Sequence, residues 1–162
     1  MKIKKFMTLM VAAVAIVLGV CSCGNDDDEP EVAVAAQVIG SYTGQEIITV
    51  MGDESSNGTA TYEFSKFSDT SIDMTVPESG SGAMAIPSFT VKNILLAKGD
   101  NAIIGKLASY SGTVINSKGD EKAYTLSDVT VVFNGKTVVV TLSLKYGNMP
   151  FAMVTNFTGT KK

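Results

Sequence analysis

The clearest pattern in the chain is an alternation over residues 136–146. Val138, Val140, Leu142, Leu144 and Tyr146 fall on one side, and Thr137, Thr141, Ser143 and Lys145 on the other. A period of two belongs to an extended strand with one dry face, because successive side chains point to opposite faces. The preceding run, 124–133, leads into Asn134-Gly135, a dipeptide suited to a tight hairpin because both residues tolerate positive φ. Within that run Tyr124 and Leu126 share one parity, while Val129, Val131 and Phe133 follow the other. One extra residue near Ser127-Asp128 restores a common face, which predicts a β-bulge.

Further runs rich in Val, Ile, Thr, Tyr and Phe occur at 39–51, 59–67, 71–76, 87–97, 107–116 and 149–158. Asn57-Gly58 and Lys118-Gly119-Asp120 have the composition of hairpin turns, and Ser79-Gly80-Ser81-Gly82 reads as the longest flexible loop. From Val38 onward no run has a helical period. The pattern therefore predicts an all-β domain of eight antiparallel strands joined by hairpins. Eight strands suit a small closed barrel whose interior fills with side chains or holds one small ligand. A two-sheet sandwich needs the same alternation, so the pattern leaves both open.

The first residues follow a different rule. Lys2, Lys4 and Lys5 precede an uncharged run from Phe6 to Val20, then come Cys21-Ser22-Cys23-Gly24 and the acidic stretch Asn25-Asp26-Asp27-Asp28-Glu29-Pro30. A basic head with too few apolar residues to span a bilayer, which takes roughly 20, has the shape of a secretory signal. With a cysteine at its end, the segment resembles a bacterial lipoprotein signal, in which that cysteine is acylated and becomes the new N-terminus. Ser22 supplies Cys23 with the small preceding residue such signals want. Cys21, behind branched Val20, is the alternative acceptor, and an ordinary cleaved signal is the competing reading.

The resemblance divides the chain into a signal peptide with its apolar helix (1–22), a lipidated cysteine with an acidic linker (23–37) and a barrel domain (38–162). One acyl chain binds membranes only marginally, whereas several hold firmly. The resemblance thus implies a membrane partner through an N-terminal lipid anchor, without a transmembrane helix. The acidic run after Cys23 resembles the tag that sends lipoproteins of Bacteroidetes-type bacteria to the cell surface. That implies an outer-membrane protein facing outward; a solvated spacer on a periplasm-facing domain is the alternative.

Charge and composition narrow the chemistry. Three of the 13 lysines precede Cys23 and all 16 acids follow it, so cleavage there leaves ten lysines against sixteen acids, a net charge of −6. Five of those acids lie between Asp26 and Glu31, which leaves the folded part at −1. No basic patch of the kind nucleic acids require is expected, so nucleic acid is not a partner. The chain lacks His, Trp and Arg, and a mature chain starting at Cys23 keeps one modified cysteine. This excludes a disulfide, His-based triads, His or Cys metal clusters, thiol catalysis and bidentate Arg recognition. No metal or other cofactor is implied.

Three stretches carry a family resemblance. They are Gly40-Ser41-Tyr42-Thr43-Gly44, Ile86-Pro87-Ser88-Phe89-Thr90-Val91, and Met149-Pro150-Phe151 with Phe157-Thr158-Gly159. Over roughly 38–160 the chain resembles the calycin-like β-barrel lipoproteins of Bacteroidetes, and its Gly-x-Tyr opening is similar to the Gly-x-Trp that starts lipocalins. The resemblance implies a small eight-stranded calycin- or lipocalin-like barrel. It implies no activity, because fold does not determine function.

Candidate site residues follow from the inward faces. Tyr42, Tyr62, Phe64, Met74, Phe89, Tyr124, Phe133, Phe151 and Met153, with Phe157, could line a pocket for a small apolar or glycan ligand. The same residues could simply pack the core. Glu46, Glu63 and Asp73 are candidates for a carboxylate pair, although Glu63, between inward Tyr62 and Phe64, is expected to face water. Asp69, Asp100, Asp120 and Asp128 could offer oxygens to calcium, but they match no loop motif, and turn roles suit them. The repeated tripeptide Lys98-Gly99-Asp100 and Lys118-Gly119-Asp120 is likewise ordinary turn chemistry.

The reading that emerges is a non-enzymatic, membrane-anchored binding barrel for a small apolar or glycan ligand or for an envelope partner protein. The alternative is an inhibitor or structural accessory protein of the cell envelope.

Overall fold

The computed structural model describes residues 32–81 and 85–162. The signal segment, Cys21, Cys23, the acidic run and Gly82 of the expected loop lie outside the described residues. Val32–Lys162 forms one compact unit.

The alternation does close into a barrel. The strands are β1 (Gly40–Val50), β2 (Asp53–Ser68), β3 (Ser71–Val76), β4 (Phe89–Lys98), β5 (Ile103–Ile115), β6 (Glu121–Asn134), β7 (Thr137–Tyr146) and β8 (Met153–Lys161). Each pairs antiparallel with the next, and β8 returns to pair with β1. The ring of pairings from β1 round to β8 and back to β1 settles the barrel against the sandwich, although β4 and β5 pair only over Leu95–Lys98 and Ile103–Lys106. Strand pairing and core lie inside Val32–Lys162, so this span completes its own fold.

One end of the barrel is covered by α1 (Val34–Val38), a five-residue helix within the segment expected to be linker. Ala35 and Val38 are buried in the core. Ala35 N–H donates to Asp69 O at 3.1 Å, and the buried Tyr42 hydroxyl donates to Val38 O at 3.0 Å. Five residues are too short for a readable period and too short to be helical alone, so docking makes this helix. We call this the helix end. The far end carries the connections at 51–52, 77–88, 116–120 and 147–152.

The bulge near Ser127-Asp128 is present: the β6–β7 register shifts between Ser127 and Thr130, and Asp128 has φ 55°. It keeps Tyr124, Leu126, Val129, Val131 and Phe133 all in the core. A second bulge in β4 puts Asn93 at φ 57°, and Asp73 Oδ1 accepts its N–H at 2.9 Å.

Two turn expectations shift. Asn57-Gly58 lies inside β2, opposite Ile47 and Glu46, and the hairpin turns at Met51-Gly52, where Val50 faces Asp53. Both turn residues have positive φ, 55° and 92°, the geometry that suits the right-handed strand twist. Between β6 and β7 the turn is Gly135-Lys136, with Asn134 still paired to Thr137. The turn around Lys118-Gly119-Asp120 forms as expected, with Asn116 Oδ1 accepting N–H bonds from Lys118 and Asp120. The last strand starts late. Gly147–Ala152 is a connection, and Pro150, which has no N–H for a ladder, sits within it.

Candidate functional site

Inside the barrel the aromatic rings stack in three levels. Below α1, Tyr42, Phe64 and Phe133 meet with ring centres 4.9 to 5.7 Å apart. At mid-height Tyr62 lies on Phe157, 4.3 Å between centres and 24° between planes. Toward the far end Phe89 meets Tyr124 at 4.4 Å, and Tyr110 lies 6.2 Å from Tyr124. The Tyr124 hydroxyl is pushed up to about 12 by burial and by neighbouring Tyr110.

Of the nine candidate lining residues, Tyr42, Tyr62, Phe64, Met74, Phe89, Tyr124 and Phe133 belong to one continuous core cluster, as does Phe157. Met153 is half-buried against it. Phe151 does not face inward: it is 50% exposed in the β7–β8 connection, because β8 begins only at Met153. The inward rings touch one another within one core cluster.

Glu46 sits inside this wall. It follows the inward parity of Tyr42 and Ile48 and pairs with Gly58 and Phe157, and Tyr62 Oη donates to its Oε2 at 2.6 Å. Burial raises the Glu46 carboxyl above the usual carboxylate range, and the Tyr62 bond only partly opposes that. The Tyr62 hydroxyl is pushed far up by burial and by the Glu46 charge. The other carboxylates do not join it. Glu63 is exposed on the outer face, and Asp73 closes the β4 bulge. Asp69 is paired with Lys66 at 2.6 Å, and Asp120 is held by Asn116 and Lys122. Among the described residues no group of three potential ligands could hold a metal ion.

Open space lies at both ends and against the β4–β5 wall, where Leu95, Leu96, Ala97, Ile104 and Lys106 line about 360 Å³. At the helix end a cleft of about 350 Å³ runs beside Gln37, Val38, Lys98–Ile103, Phe133 and Gly135. At the far end two adjoining clefts share Lys122 and Tyr146. One of about 450 Å³ is walled by Glu121, Lys122, Ala123, Tyr146, Gly147, Asn148 and Met149. The other, about 220 Å³, adds Asn116, Ser117, Lys118 and Asp120. Tyr146 Oη is buried with no hydrogen-bond partner, the one such side-chain atom among the described residues. Such a group costs roughly 1–3 kcal/mol while it remains unmet.

The model of the calycin-like beta-barrel domain family matches residues 38–160. The chain belongs to the calycin-like β-barrel family. Calycin-like domains typically bind rather than catalyse, and nothing positive points to an enzyme here. This calycin-like barrel is also similar to the crystal structure of a candidate outer membrane protein from Bacteroides fragilis, with TM-score 0.61 and 19% identity. The likeness covers 80% of this chain and 53% of that one, so the chain spans about half the length of its structural relative. No curated protein matches the chain.

Sequence reasoning placed Tyr146 on the inward face of its strand but did not single it out. Its signal was a tyrosine ending a strand whose other inward residues are aliphatic, beside a polar turn that only the fold brings near. The pairing of Tyr62 with Glu46 left no such signal, since the two lie 16 residues apart.

Proposed function

We propose that this chain is a lipid-anchored outer-membrane protein, held through Cys23, whose barrel binds a small glycan-type ligand at its far rim. The observation that carries the reading is a pair of adjoining clefts that share Lys122 and Tyr146 and are walled by polar side chains at the far end of the barrel. An interior apolar ligand would have to displace the core cluster. The rim instead offers what a sugar needs: an aromatic side chain, amide and ammonium donors from Asn148, Lys118 and Lys122, and carboxylate acceptors from Asp120 and Glu121. Sites of this kind fix a ligand with a few polar groups on a preformed concave surface.

The test is calorimetric titration of residues 24–162 with envelope oligosaccharides, comparing the parent with Lys122→Ala, which alters a side chain that lines both clefts. A ligand that accepts a hydrogen bond from the Lys122 ammonium should bind roughly tenfold more weakly to the variant, as expected for one hydrogen bond. Absence of oligosaccharide binding, or equal affinity for both proteins, would overturn the rim reading. Palmitate labelling of cells producing Cys23→Ser checks the anchor separately: loss of label is expected, and retained label removes Cys23 as the acceptor.

A further inference from the structure

We infer that the helix end of the barrel docks on the anionic head groups of the membrane that holds the tether, which rests on the anchoring reading above. The folded unit begins at Val32, just before α1. Eight residues, 24–31, separate it from the proposed lipid, and a chain that long reaches at most about 29 Å. The helix end is therefore kept close to the bilayer surface.

Charge is segregated along the barrel to match. Lys66, Lys98, Lys106, Lys136, Lys161 and Lys162 lie in the half nearer α1, where the acids are Glu63, Asp69, Asp73 and Asp100. At the far end Asp53, Glu54, Glu78, Asp120 and Glu121 outnumber Lys118, Lys122 and Lys145. Lys92 and the remaining acids lie between. A nearly neutral domain thus presents a basic pole toward the tether and an acidic pole away from it.

The outer face at the basic pole is also apolar where a solvated sheet is ordinarily polar. Ala97, Ile104, Val132 and Val139 are paired in register across β4, β5, β6 and β7, and all point outward. Leu95 extends this row and is 63% exposed, and Val139 is 41% exposed. The row follows four of the eight strands around the barrel. Apolar side chains flanked by lysines whose stems lie along apolar surface are what a head-group interface accepts.

Sedimentation of residues 24–162 with vesicles tests this without any acyl chain. Vesicles one-third phosphatidylglycerol in phosphatidylcholine should bind the protein at low salt, and pure phosphatidylcholine should not. Replacing Lys106 and Lys136 by Gln should weaken partition about 25-fold, roughly fivefold for each lysine near a charged surface. Lys118→Gln with Lys145→Gln should leave it unchanged, circular dichroism confirming that both variants fold. Equal losses from the two pairs, or equal binding to neutral vesicles, overturn the inference. Since Cys23 is absent from this assay, its failure leaves palmitate labelling unaffected, and loss of that label leaves vesicle binding intact.

Discussion

Replacing Tyr62 by Phe removes one oxygen from the middle of the barrel and little else. The ring can remain on Phe157, 4.3 Å away, but Glu46 Oε2 loses the donor that reaches it at 2.6 Å. A hydrogen bond to a charged group contributes about 1.5–3 kcal/mol. Glu46 is only half-buried, so water replaces part of that, and the expected cost at neutral pH is about 1–2 kcal/mol. The cost depends on pH with a definite sign. Burial raises the folded-state Glu46 carboxyl above its ordinary value, and the Tyr62 bond pulls it back. A raised carboxyl lets the native state hold a proton that the unfolded chain has released. Its contribution to stability is therefore full below the unfolded value and is lost as pH rises through the folded one. Without Tyr62 Oη the folded value rises further and that loss deepens. Urea unfolding at pH 4 and pH 7, followed by circular dichroism, should show Tyr62→Phe costing more at pH 7. Glu46→Gln should flatten this part of the slope, and the extra pH dependence of Tyr62→Phe should vanish in its background. An equal cost at both pH values, with or without Glu46, would refute the charge-assisted bond.

The other predictions concern packing. Gly159→Ala places a methyl group inside the Phe157 ring, which Tyr62 holds in place, and should cost about 1–3 kcal/mol in urea unfolding. Gly58→Ala meets open space and should show no loss. Phe133→Ala, at the junction of Tyr42 and Phe64, should lose about 3–5 kcal/mol, while Phe151→Ala in its exposed connection should change stability by about 0.5 kcal/mol or less. Tyr146→Phe removes an unsatisfied buried hydroxyl and should raise stability by up to about 1 kcal/mol. A drop instead would mean that the hydroxyl has a partner in solution.

Much of this fold could be read residue by residue. Strand β7 and the parity switch in β6 were legible because burying one face of a strand imposes a period of two, and an interruption of that period can be counted. Seven of the nine candidate lining residues fall in the core cluster. Phe151 misled, because a hydrophobic residue beside Pro150 looks like a strand opening when the partner strand is unknown. Asn57-Gly58 misled for a similar reason: good turn chemistry is a local preference, and the register between β1 and β2 placed the turn at Met51-Gly52 instead. Strands β5 and β8 were recovered with shifted ends, and the short α1 was missed because its helicity comes from docking against Asp69 and Tyr42.

What the amino-acid order determined alone was local and periodic: strand faces and one bulge. Only the tertiary structure decided which distant residues meet. It joined β1 to β8, packed the aromatic rings against one another, set Tyr62 on Glu46 and left Tyr146 Oη buried without a partner. The physical reason is that side-chain direction is encoded by near neighbours, whereas register and closure depend on contacts between residues far apart in the chain, whose pairing no local pattern specifies.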